Sequence, residues 1–128
     1  MSTLTVITNA GIEAVARMLN GVSPPAAFTY IATGTGATAA AATDTALEGE
    51  NTLYGSARAA ATCSFSSPGT SQWTHNFVFN GTVIIREVSV QNASSGGDML
   101  LRGVLSENKT FSDGEAVEIT ITNTMVRV

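Results

Sequence analysis

The sequence predicts a mainly β protein, an antiparallel β-sandwich with one N-terminal α-helix at about residues 9–20. Three observations carry the prediction. Short segments of alternating apolar and polar residues recur along the chain, separated by Gly, Asn and Ser turns. Only one stretch shows a helical period. At 128 residues and 44% hydrophobic, the chain can bury roughly two thirds of its extended surface in one core, so residues 1–128 are expected to form a single domain.

The helix is read from "TNAGIEAVARMLNGV". Ile12, Val15, Ala16 and Leu19 fall at i, i+3, i+4 and i+7, the spacing of one helical face. Asn9 or Thr8 supplies a cap for the first-turn N–H groups, and Asn20-Gly21 followed by "SPP" ends the helix. Strands follow in "AAFTYIATGTG", "SARAAATCSFSS", "SQWTHNFVFNG", "TVIIREVSVQN", "MLLRGVLS" and "EAVEITITNTMVRV". The last has the cleanest alternation, with Val117, Ile119 and Ile121 set against Glu118, Thr120 and Thr122. The Ala/Thr/Gly-rich stretch from Gly34 to Leu53 reads as a long surface connection. Thr45 and Glu48 within it fit a capping box and predict one helical turn. Between two strand patterns, Asn92 to Asp98 reads as a hairpin end, with Gly96-Gly97 free to take positive φ.

Composition and motifs exclude most chemistry. A formal charge of −4, with the 6 basic residues scattered singly, argues against nucleic acid as a partner. No run approaches the ~20 apolar residues of a membrane span. The first residues have neither a basic nor an apolar signal region, so synthesis and folding in a cytoplasm are expected. Cys63 is the lone cysteine and reads as a small core residue. His75 is the lone histidine, on one strand face with Trp73 and Phe77, and no metal site can be assembled around it. "GTGAT" at 34–38 lacks the Lys of a phosphate-binding loop. The carboxylates form no motif that predicts a catalytic pair, and "SDGEAVE" is too thin for calcium. Arg58, Arg86 and Arg102 each interrupt an apolar strand, as edge or solvent-facing residues or as halves of inter-subunit ion pairs. No catalytic, cofactor or metal residue is assigned, and an enzyme is not expected.

Two longer stretches carry a resemblance. "AFTYIATGTGATAAAATDTAL" followed by "ARAAAT" resembles the N-terminal signature of small virion proteins encoded by tailed phages and prophages. "REVSVQNASSGGDMLLRGVLS" resembles their C-terminal signature, E-x-G-L-F-N-A-A-S-G-G-x-M-L-A-R, with Ser89 in place of Gly and Gln91 in place of an aromatic. The resemblance implies an Ig-like or jelly-roll-like sandwich and a role as head decoration (cement) or tail-fibre-associated protein. A compact chain without heptads or stalk repeats favours the capsid decoration protein, a homotrimer bound to the major capsid protein or other virion proteins. A tail, baseplate or fibre component is the alternative. A carbohydrate-binding module using Trp73 and Tyr54 as stacking platforms is the third reading. The candidate subunit-contact residues are Thr43 and Asp44 in the long connection and Asn92, Asp98, Met99, Leu100 and Arg102 around the hairpin end.

Overall fold

A computed structural model describes residues 3–127, so Met1, Ser2 and Val128 lie outside it. The elements run β1 (Thr3–Ile7), α1 (Asn9–Asn20), β2 (Tyr30–Gly34), β3 (Ala59–Ala60), β4 (Thr62–Ser66), β5 (Thr70–Val78), β6 (Val83–Gln91), β7 (Met99–Phe111) and β8 (Ala116–Thr124). They form two antiparallel sheets, a larger one ordered β1-β7-β6-β2-β3 and a smaller one ordered β4-β5-β8. The architecture is the expected β-sandwich with a helix near the N-terminus. Strand β1 was not read from the sequence. Its five residues are too few for a periodic signal, and pairing with β7 from Thr3↔Leu105 to Ile7↔Leu101 holds it in place.

The core lies between the sheets. Ile31, Ile85, Val88, Val90 and Leu101 from the larger sheet meet Trp73 and Phe77 from the smaller one. Trp73 is 6% exposed, and its indole N–H donates to the Phe28 carbonyl at 2.7 Å. His75 sits edge-on to Phe77 with ring centroids 4.6 Å apart, a packed residue as expected. From Glu87 to Gln91 strand β6 is buried on both faces. Val88 and Val90 enter the core, while Glu87, Ser89 and Gln91 alternate to the opposite face and are also buried. There, Ala32, Leu47 and Met99 form a second small apolar cluster.

The helix ends are those expected, but its inward face is not. The Thr8 hydroxyl accepts from the Gly11 N–H at 2.9 Å and itself donates to the Met99 carbonyl. Gly21 closes the helix in the left-handed conformation, with its N–H on the Arg17 carbonyl at 2.9 Å. The packed face is Gly11 and Ala14, with half-buried Val15 and Met18. Ile12 and Leu19, assigned inward by the sequence, are 59% and 83% exposed. The cause is Gly11. A Cβ there would sit 2.5 Å from the Leu100 carbonyl oxygen, so its absence lets the helix backbone lie directly on β7 and sets the rotation.

Two other expectations change. Cys63 is exposed, because β4 pairs only with β5 and every one of its residues lies open to solvent. The helical turn near Thr45 does not form. The Glu48 carboxylate accepts from the Ala37 and Thr38 N–H groups instead, at 3.1 and 3.4 Å, across the long connection.

Candidate interaction surface

The long connection is anchored by one carboxylate. Its two ends are zipped by Thr35 N–H on the Gly49 carbonyl at 2.9 Å and Asn51 N–H on the Thr33 carbonyl at 2.8 Å. Inside that closed loop sits Glu87, fully buried on β6. One of its oxygens accepts from the Gly36 and Gly49 N–H groups at 2.7 and 2.8 Å. The other accepts from Glu48 N–H at 2.9 Å and from Arg102 Nε at 2.8 Å. Arg102 Nη1 continues to Asp44 Oδ2 at 3.1 Å. Burial pushes the Glu87 carboxyl up, but the Gly49 N–H, the Arg102 guanidinium and the Glu48 and Gly36 N–H groups outweigh it and hold it below its ordinary value. Gly34 and Gly36 are required here. A Cβ on either would press on the Glu87 carboxylate, at 2.5 and 2.6 Å from its Oε2. The glycine-rich "GTG" does cradle an anion, and the anion is the chain's own side chain.

Glu87 was missed by sequence reasoning, and Arg102 was read as solvent-facing or as half of an inter-subunit pair. Both are buried, in one intramolecular pair. A signal existed. Each is a charge set among apolar strand residues, and the two positions are nearly symmetric about the 92–98 hairpin, which makes them diagonal neighbours on one sheet face. The pairs Ser89↔Arg102 and Glu87↔Val104 put them there. Arg58 is also intramolecular. It forks onto Glu50 at 2.8 and 3.1 Å and donates to the Ala93 and Gly96 carbonyls, both at 2.9 Å, bracing the hairpin end. Arg86 fills an irregularity between β6 and β7, donating to the Leu105 carbonyl at 2.7 Å.

The hairpin end has the expected form. Gly96 and Gly97 have φ of 60° and 72°, and Asn92 Oδ1 accepts from Asp98 N–H at 2.8 Å. The candidate contact residues divide by burial. Met99, Leu100 and Arg102 are buried within the chain, so their side chains present little to a neighbour. Thr43 is exposed, and Asp44, Asn92 and Asp98 are half-buried. Asp98 lies 3.9 Å from Arg17 of the helix, and Asp44 is committed to Arg102.

The conspicuous free surface is apolar and lies elsewhere. Beyond Ile12 and Leu19, the helix end adds Val22. Phe65 on β4 is 77% exposed, and Met125 and Val126 beyond β8 are similarly open. A third region is a cleft of about 380 Å³ at the open side of the sandwich. Leu101, Leu105 and Phe111 line one wall, and Val117, Ile119 and Ile121 of β8 line the other. Of the two proposed sugar platforms, Trp73 is buried and unavailable, while Tyr54 is half exposed with its ring laid against Gly81. Among the described residues, no group of three or more His, Cys, Asp or Glu side chains is placed to hold a metal ion. No helix among them is long and apolar enough to cross a membrane.

The open apolar faces and the bonded loop carboxylates leave no catalytic constellation among the described residues. No curated protein matches the chain. A family model, described as podophage GP4 fiber I protein gp80, matches residues 2–127. The chain therefore belongs to that family of phage fiber proteins and is a structural component of a virion.

Proposed function

We propose that the chain is a non-catalytic subunit of a phage fibre, held in the particle by contacts with copies of itself and with other virion proteins. The family match across residues 2–127 carries this reading. The surface supports it. Only 12% of residues are charged, and large apolar side chains at Ile12, Leu19, Phe65 and Met125 stand in solvent, a pattern that marks protein contact sites. The buried Glu87–Arg102 pair gives the long connection a defined shape, so Thr43 and its neighbours offer a rigid contact surface. Thr43, Asp44, Asn92 and Asp98 remain the polar contact candidates on that side.

A second reading, capsid decoration, is favoured by one observation. The only described helix has 12 residues and none of the described elements forms a stalk, so the described residues have the compact shape that suits addition to a preformed shell. On this reading the partner is the major capsid protein and the oligomer a trimer at local threefold positions. Antibody labelling of intact particles, viewed by electron microscopy, separates the two. Label along fibres or at the tail is the expected result. Label spread over the head transfers the chain to decoration, and unlabelled accessible particles remove both.

A further inference from the structure

We infer that the free edge of β8 is a self-pairing site, where β8 of a second copy adds antiparallel to it and closes the cleft beside it. Three strands face five in this sandwich, and the deficit falls beyond β8, where the cleft opens. The other sheet edges are short: β1 and β4 have five residues each and β3 has two. Strand β8 has nine, pairs with β5 without a bulge, and contains no Pro, Lys or Arg. Of the devices that keep solitary edges from pairing it has only one charge, Glu118, and neither Pro, Lys nor a bulge.

Backbone direction is set by the pairing with β5. Phe79 N–H bonds the Glu115 carbonyl and Met125 N–H bonds the Gly69 carbonyl, so the odd-numbered residues of β8 turn toward β5. The N–H and C=O groups of Ala116, Glu118, Thr120, Thr122 and Thr124 consequently point to the open edge. Among the described residues β8 has no other strand neighbour.

The occupant follows from β8 itself. Antiparallel pairing centred on Thr120 sets Ile119 against Ile121 of the second copy and Glu118 against Thr122. The single charge of the strand thus meets a hydroxyl and not its own copy. Alternation is kept, so Val117, Ile119 and Ile121 of the incoming strand continue the apolar inner face over the exposed part of the larger sheet. This contact is isologous and twofold; a trimer would be made through other faces and joined in pairs here.

The inference rests on the chain being an assembly subunit, and the two can fail separately. Light scattering and sedimentation on the purified 13.2 kDa chain should give masses at even multiples of the monomer. Thr120→Lys and Thr120→Glu each set like charges opposite each other and should raise the dissociation constant at least about tenfold, while mixing the two variants restores association. Thr120→Pro removes an N–H aimed at the open edge and spares the bonds to β5, so it should leave a folded half-size species by circular dichroism and mass. A wild-type monomer or odd oligomer, a Thr120→Pro variant that still pairs, or a charge mixture that does not recover would each overturn the proposal. Fibre labelling with a monomeric chain sinks the edge pairing alone. Head labelling with a dimeric chain sinks the fibre reading alone.

Discussion

Glu87 shows how one side chain can organise a loop. Its carboxylate replaces water with three backbone N–H groups and a guanidinium, all within 2.9 Å. Glu87→Gln keeps the volume but loses the charge that compensates Arg102, so we expect a loss of about 3 kcal/mol in denaturant unfolding, the usual consequence of breaking a buried pair. The acid dependence has a defined sign. The folded carboxyl titrates below its ordinary 4.5, so its ionised form stabilises the native state at neutral pH. That contribution begins to fade as pH falls past 4.5 and is gone below the folded value. Thermal melts between pH 7 and pH 3 should therefore fall less steeply for Glu87→Gln than for the parent. Trp73 gives a simpler check. With its N–H bonded to Phe28 and its ring in the core, emission should be blue-shifted and resistant to acrylamide. A red-shifted, readily quenched signal would contradict the packing.

At the scale of elements, the helix shows why a periodic pattern does not settle a face. Its sequence contains two overlapping stripes at i, i+3, i+4 and i+7, one through Ile12 and one through Gly11. Hydrophobicity favours the first; the structure uses the second, because the contact that matters is backbone against the Leu100 carbonyl. Gly11→Ala should cost about 2 kcal/mol in chemical denaturation, although alanine favours helices, since the added methyl must push α1 off β7. A neutral or stabilising result would show that the helix can shift without penalty. The same reasoning explains Cys63 and Phe65. Their alternation on β4 is that of a half-buried strand, but the larger sheet does not cover it.

The whole molecule is a sandwich whose exposed apolar surface is distributed over the helix, the β4 end and the β8 side. Replacing Ile12 and Leu19 together with Ser should leave monomer stability within about 1 kcal/mol, because both side chains are already in water. If the helix face contacts other virion proteins, incorporation into particles should drop severalfold, measured by quantitative blotting of purified virions. Unchanged incorporation would remove that face from the assembly and direct attention to β4 and β8.

By itself the sequence determined where α1 and most of the strands after residue 8 lie, the helix caps, the hairpin at 92–98 and the kind of protein, since these depend on local periodicity, turn chemistry and motif order. The turn expected at Thr45 and the undivided strand expected at 56–67 were not found, the latter being split between the two sheets as β3 and β4. The interior pairing of Glu87 with Arg102, the role of Gly34 and Gly36 around it, the true inner face of α1 and the exposure of Cys63 were decided only in three dimensions. Each depends on which surfaces the sheets leave covered, and that is a relation between segments distant in the chain. Strand β1 belongs to the same group: five threonine-rich residues become a strand because β7 offers them an edge.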